Sequence, residues 1–180
     1  MEPLVALLRG INVGGKNKIR MVELTSLFED LGYTGIETYL QSGNVIFEPS
    51  QTKEPAEHTE DIKSKIENIF GYKVSILVLT SKTLHTTFTN NPFLKSREVA
   101  NSALYVTFLF STPEPALTKP VELPKNETAT FHILEDRVYV CCPGGYGKTK
   151  INNQFFEKKL NLEATTRNWK TVGALHERVT

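Results

Sequence analysis

Ile36-Glu37-Thr38-Tyr39-Leu40-Gln41-Ser42-Gly43-Asn44-Val45-Ile46-Phe47 is the stretch that settles the architecture. Apolar and polar residues alternate from Ile36 to Gln41, with Tyr39 among the outward-looking positions. Ser42-Gly43-Asn44 supplies turn chemistry, and Val45-Ile46-Phe47 resumes an extended run, so the segment reads as a β-hairpin. Upstream, Met21, Leu24, Leu27, Phe28 and Leu31 fall at helical spacing, with Gly32 placed for a left-handed helix end. Further upstream, Leu4 to Leu8 is a continuous apolar run, the pattern of a strand buried on both faces. Downstream of a polar loop over 49–58, Ile62, Ile66, Ile69 and Phe70 form a second helical stripe ended by Gly71. Val74 to Leu79 is another strand. The order is β-α-β-β-α-β, a ferredoxin-like plait over residues 1–80.

Residues 81–102 read as a connector, with Ser81 capping a short helix that carries Leu84 and Phe88. The second half, 103–180, partly repeats the first. Leu104 to Phe110 is a strand. Thr128 to Leu134 and Arg137 to Cys142 pair across Glu135-Asp136. Thr149 caps a helix with Ile151, Phe155 and Leu160, and a last helix starts near Asn168 with Trp169, Val172, Leu175 and Val179. The copy is degenerate. Pro113, Pro115, Pro120 and Pro124 break any long helix at the expected first position, and 163–166 leave room for only a very short last strand. The expectation is an α+β chain of duplicated ferredoxin-like plaits with the domain boundary between Thr80 and Ala103.

Composition narrows the class. In 180 residues, 21 Lys and Arg stand against 20 Asp and Glu, which excludes a histone-like or strongly acidic protein but not a local basic patch. The two cysteines, Cys141 and Cys142, are adjacent, so a secreted disulfide framework is out. The apolar run at Leu4 to Leu8 is too short for a signal peptide or a membrane span. These features point to a cytoplasmic, soluble chain with no membrane partner.

Leu7-Leu8-Arg9-Gly10-Ile11-Asn12-Val13-Gly14-Gly15-Lys16-Asn17-Lys18, then Tyr39 to Val45, then Thr165-Thr166-Arg167-Asn168-Trp169-Lys170-Thr171-Val172 resemble three signature stretches of the bacterial domain of unknown function 1697 family. The resemblance spans almost the whole chain. It implies a duplicated ferredoxin-like architecture and implies no activity.

Three segments are candidates for chemistry. The loop Arg9 to Arg20 follows a strand, precedes a helix, and holds Gly10, Gly14, Gly15 and the cations Arg9, Lys16, Lys18 and Arg20 with no acidic residue. Glycines let backbone N–H groups approach an anion, and the helix N-terminus favours negative charge. The competing reading is a flexible loop with solvated lysines. Pro143 to Lys150, with Gly145, Gly147, Lys148 and Lys150, looks like a phosphate loop. Its G-x-x-x-x-G-K-[ST] count fails at Cys142, which argues against a nucleoside triphosphatase. A weaker phosphate cradle survives, beside a purely structural turn. In Thr165 to Lys170, Arg167 has the fork for a phosphate or carboxylate, Trp169 fits a core position, and Asn168 fits a helix N-cap.

From Lys148 to Lys170 six cations face two acids, a locally basic segment. A pseudo-twofold repeat would bring the two glycine-rich loops to one face. On the open sheet face, Tyr39, Tyr105, Tyr139 and His132 suggest a base-stacking platform, although the aromatic-rich RNA-recognition signature is absent. His58, His85, His132 and His176 show no metal-ligand spacing, so no metal or cofactor is expected. Cys141 or Cys142 beside a basic loop offers a nucleophile, against the reading of inert strand cysteines. The function expected is a phosphate- or anion-directed binding module for nucleic acid or a nucleotide. The alternatives are a small enzyme acting on an anionic metabolite and a protein-interaction domain.

Overall fold

The computed structural model describes residues 1–95, 99–118 and 121–180. It is mixed α+β, with two four-stranded antiparallel sheets and five α-helices among the described residues. The elements are β1 (Leu4–Leu8), α1 (Met21–Asp30), β2 (Thr34–Tyr39), β3 (Asn44–Glu48), α2 (Pro55–Phe70), β4 (Ile76–Thr80), α3 (Ser81–Thr89), β5 (Leu104–Leu109), β6 (Thr130–Leu134), β7 (Arg137–Cys141), α4 (Asn153–Leu160), β8 (Ala164–Asn168) and α5 (Trp169–Val179). No helix among the described residues is long and apolar enough to cross a membrane.

Two compact units result: Met1–Thr86 together with Leu175–Thr180, and Thr87–Ala174. The division falls inside α3 and α5 rather than in a linker. The end of α5 therefore belongs with the first sheet, not with residues 103–174.

In the first unit the strand order is β2-β3-β1-β4. Every residue of β1 is buried, as its unbroken apolar run requires. Leu24, Leu27 and Phe28 of α1 and Ile62 and Ile66 of α2 pack on one face of this sheet, against Ala6, Leu8, Val45, Phe47 and Val78. Gly71 ends α2 with φ of 72°, where a side chain would be strained. β1 and β2 both run antiparallel to β3, so they end at the same edge of the sheet. That shared edge places the loop after β1 beside the turn after β2.

In the second unit the order is β6-β7-β5-β8. The described residues between β5 and β6 hold no helix, where Pro113, Pro115 and Pro124 stand. Pro120 lies outside the described residues. β8 is longer than expected: Thr165, Thr166, Arg167 and Asn168 pair with Phe108, Thr107, Val106 and Tyr105. The faces of β5 are also reversed. Tyr105 is paired with Val140, and Val106 with Tyr139. Partners in an antiparallel ladder share a face. With Val138 and Val140 turned toward Ile151, Phe156 and Leu160, Tyr105 and Leu109 must turn the same way. Tyr139 lies on the opposite face yet is 1% exposed, its hydroxyl donating to the Thr87 carbonyl at 3.0 Å. The stacking platform therefore does not form. Two helix starts also differ from the sequence reading. Thr80, not Ser81, accepts the Thr83 N–H at 3.0 Å, and Asn152, not Thr149, caps α4 through Phe155 N–H at 3.1 Å.

His58 lies inside the first core at 1% exposure, its Nδ1 2.9 Å from the Tyr33 hydroxyl and its Nε2 without a partner among the described residues. Burial lowers its pKa first, and Lys53 adds to this, against Asp61 and Glu57. As pH falls through about 6.5, the unfolded chain takes a proton that the folded ring resists, so stability falls with pH. The urea midpoint should drop between about pH 7.5 and about pH 5.5, and drop less in His58→Leu. An equal drop in both proteins would contradict this assignment.

Candidate functional site

The loop from Arg9 to Arg20 is built, not floppy. Leu8 N–H donates to the Gly43 carbonyl at 2.8 Å and Arg9 N–H to the Ser75 carbonyl at 2.9 Å, extending the ladders on both sides of β1. Ile11 and Ile19 are both buried and anchor the loop at its two ends. Between them, Val13 and Lys16 form an isolated antiparallel bridge, with Lys16 N–H donating to the Val13 carbonyl at 3.1 Å. Gly14 and Gly15 hold φ of +58° and +77°, and the two central positions of a type I′ turn both need φ above zero. A Cβ at either glycine would meet nothing within 4 Å, so conformation and not space selects glycine there.

Asn12 holds the assembly together. Its Oδ1 accepts the Ile19 N–H at 2.9 Å, and its Nδ2 donates to the Ile19 carbonyl at 2.8 Å and the Gln41 carbonyl at 3.0 Å. One side-chain amide thus does the work of a strand partner for Ile19 and ties the loop to the β2–β3 turn. Asn17 adds a bond from Nδ2 to the Gly10 carbonyl at 3.2 Å. In the turn, Gly43 has φ of +80°, and a Cβ there would come within 2.7 Å of Leu8 Cβ and 2.9 Å of Ile11. Buried Asn44 closes the hairpin through Nδ2 to the Tyr39 carbonyl at 2.8 Å. Two of the signature stretches therefore meet side by side.

Their meeting point is a cleft of about 440 Å³ lined by Asn12, Gly15, Lys18, Ile19, Arg20, Met21 and Gln41. Met21 begins α1, so the cleft opens at that helix's N-terminus. Lys16 and Lys18 are exposed, and Arg9 is half-buried. No carboxylate lines the cleft. Glu23 stands next to Arg20, accepting its Nη2 at 2.8 Å and its backbone N–H at 3.1 Å. The hydrogen bond from the Arg20 side chain holds the Glu23 carboxyl below its ordinary value.

The second glycine-rich loop differs. One of its backbone donors, the Lys150 N–H, already serves a carboxylate of the same chain, and the Gly145 and Lys148 N–H groups close turns on the Cys142 and Gly145 carbonyls. Glu127 Oε2 accepts the Lys150 N–H at 2.6 Å, and Oε1 accepts the Thr128 and Ala129 N–H groups at 2.9 Å each. These backbone bonds, Ala129 first, hold the Glu127 carboxyl below its usual range. Lys150 Nζ reaches the Lys125 carbonyl at 3.2 Å. Gly145 takes φ of +87°, Gly147 follows in a short 3-10 turn, and Lys148 is exposed. The space beside them is about 30 Å³, room for a water and not for a phosphate group. The loop also follows β7, the third strand of its sheet, whereas Arg9–Arg20 follows β1, the first strand. β7 runs antiparallel to β5, so the two loops are not equivalent positions of a repeat. They belong to different units.

The third stretch is structural. Arg167 is 8% exposed, its Nη1 donating to Thr165 Oγ1 at 2.9 Å and the Thr166 carbonyl at 3.0 Å. Burial pushes its pKa down to about 10. Thr166 Oγ1 donates to Asn153 Oδ1 at 3.0 Å and accepts from the Tyr146 hydroxyl at 3.1 Å. Having spent its one proton, it accepts from Thr107 at 2.8 Å as well. Asn168 Oδ1 accepts the Thr171 N–H at 2.7 Å, the N-cap expected, and Trp169 is buried and stacked on Phe88 at 5.1 Å.

Other candidates are occupied. Tyr39 lies under the Arg178 guanidinium, 4.8 Å from the ring centroid, and Arg178 Nε also bonds Glu37 at 2.6 Å. Both cysteines are buried and free, and burial raises the Cys141 thiol and pushes Cys142 up to about 11. A nucleophile needs the opposite shift. No group of three or more His, Cys, Asp or Glu stands ready for a metal among the described residues.

What the fold and cleft define is an α+β protein whose basic glycine loop is braced against a hairpin turn. The family model described as "Protein of unknown function (DUF1697)" matches residues 1–139, and the chain belongs to that family. The third signature stretch lies beyond the matched residues. The chain is similar to a solved structure, that of the conserved bacterial protein SP0830 from Streptococcus pneumoniae, at 25% identity over 99% of each chain with a TM-score of 0.73. None of the curated proteins matches it.

Asn12→Ala should cost about 1–3 kcal/mol in urea unfolding, because the Ile19 backbone groups lose their partner. Gly43→Ala should cost at least as much, through the positive φ and the contact with Leu8. Either substitution leaving the midpoint unchanged would show that the clasp carries no stability.

Proposed function

We propose that the first unit binds a small phosphate-bearing or otherwise anionic ligand, of nucleotide size, in the cleft between the Arg9–Arg20 loop and the Gln41 turn. The observation that carries this reading is the Asn12–Gln41 bond, which brings two signature stretches into one cleft. Lys18 and Arg20 line it, with Lys16 on the exposed tip of the same loop. Its volume falls in the range of small-molecule sites, about 300–1,000 Å³, and not of an open nucleic-acid surface. The α1 N-terminus adds partial positive charge on the same side. The Arg20–Glu23 pair is exposed and weak, so Arg20 is available to an incoming anion at little cost. The same reading takes the two sheets as duplicated ferredoxin-like plaits, the second without its first helix. The matching strand orders support it. Two free, buried cysteines fit a reducing compartment such as the cytoplasm.

The test is a titration of the wild type and Lys16→Ala/Lys18→Ala with pyrophosphate, nucleotides and short oligonucleotides at two ionic strengths. The wild type should bind a phosphorylated small molecule. The variant should bind it about tenfold more weakly, having lost charge-assisted contacts, with its unfolding midpoint unchanged because exposed lysines contribute little to folding. No binding at low salt removes the proposal. Binding confined to oligonucleotides, with a steep salt slope, replaces the small ligand by nucleic acid.

A further inference from the structure

The histidines are scattered in sequence, yet the fold brings two of them together. His85, on α3, and His176, on α5, both belong to the first unit. His85 Nδ1 lies 3.0 Å from His176 Nε2, with ring centroids 5.2 Å apart and planes inclined by 31°. His85 is exposed and His176 half-buried, so the pair can be reached from water. We propose that His85 and His176 form a two-imidazole site for a divalent late transition metal ion, with water filling the remaining positions.

The distance carries the argument. Two nitrogens each about 2.0–2.1 Å from one metal ion stand roughly 2.8–3.0 Å apart at a right angle and about 3.3–3.4 Å apart at the tetrahedral angle. The observed separation lies at the square-planar end of that range, and turning each ring until its lone pair points about 45° off the line between the nitrogens makes the facing pair a chelate. Both side chains are already adjacent, so the site loses less side-chain freedom on binding than two separated histidines would. As a hydrogen-bonded pair, one ring presents an N–H to the other's lone pair. Metal binding needs both lone pairs inward, with protons on His85 Nε2 and His176 Nδ1. One ring therefore moves its proton to its outer nitrogen through solvent, and a neutral pair releases none. Neighbouring Glu177 places a carboxylate beside His176. That carboxylate also favours a cation nearby. Imidazole donors rank the ions with Cu²⁺ above Ni²⁺ and Zn²⁺. The site is separate from the anion cleft and does not depend on it.

The experiment is calorimetric titration of the full chain with Cu²⁺, Ni²⁺ and Zn²⁺ salts near neutral pH, with melting curves run in parallel. The wild type should take one ion per chain, Cu²⁺ most tightly, and melt at a higher temperature when loaded. His85→Ala and His176→Ala should each weaken binding about a hundredfold, since one imidazole without the other loses the chelate. Both should abolish the metal-dependent melting shift while remaining folded without metal. His132→Ala, which removes the exposed histidine on β6, should change nothing. Equal affinity in the wild type and the His85→Ala/His176→Ala double variant would overturn the proposal, as would binding by the wild type only at millimolar ion.

Discussion

The first unit depends on one side-chain amide standing in for a strand. Ile19 must be buried to close the core above β1, yet it sits in a loop with no neighbouring strand to pair with. Asn12 supplies both missing partners, an acceptor for its N–H and a donor for its carbonyl. Buried backbone groups left unpaired cost about 1–3 kcal/mol each, comparable to a large part of what burying one isoleucine gains. The same Nδ2 bonds Gln41, so the core requirement and the shape of the cleft are set by one residue. Gly43 completes the arrangement, because only a residue without Cβ lets the turn approach Leu8 and Ile11 so closely.

This constraint separates the two glycine-rich loops. Both looked alike as a strand, glycines, lysines and a helix. In Arg9–Arg20 the tip turns outward as a type I′ turn, leaving the lysines exposed beside a lined cleft. In Pro143–Lys150 the Lys150 N–H meets Glu127, a residue outside the loop and some twenty positions earlier, while the Gly145 and Lys148 N–H groups close turns on carbonyls of the same segment. A carboxylate of the chain itself stands beside this loop, Lys150 Nζ bonds the Lys125 carbonyl, and Lys148 is exposed. Loops of like composition thus differ in how the chain spends their donors.

The strands and helices of the first half were readable because each has one clear periodicity and a glycine or turn at its end. The hairpin from Ile36 to Phe47 is the plainest case. The second half was less so. Both faces of β5 are apolar, so alternation could not say whether Tyr105 or Val106 faces α4. The register with β7 decides it, and register is a long-range property. The strand at Thr165–Asn168 is short by pattern because threonines and an arginine resemble a loop, whereas β-branched threonines suit a ladder. In the site, Lys16, Lys18 and the glycines were visible. Asn12 has neither the charge nor the glycine backbone that would mark it beside the lysines. Its tolerance of left-handed φ, at +56°, and its place between two apolar residues were the available signal. The Glu127–Lys150 bond and the His85–His176 pair are not legible, because they span 23 and 91 residues and no local pattern indicates either partner, whereas Glu23 follows Arg20 at the local spacing of a helix cap.

The account rests on the braced loop presenting its donors and cations to an anion at one place. Amide chemical-shift mapping of the isotopically labelled full chain with pyrophosphate tests this most directly. The account predicts saturable shifts concentrated at Asn12, Gly15, Lys18, Arg20, Met21 and Gln41, with the amides of Gly145 to Lys150 unmoved. Shifts spread evenly over exposed lysines, or centred on the Glu127 loop, would contradict it.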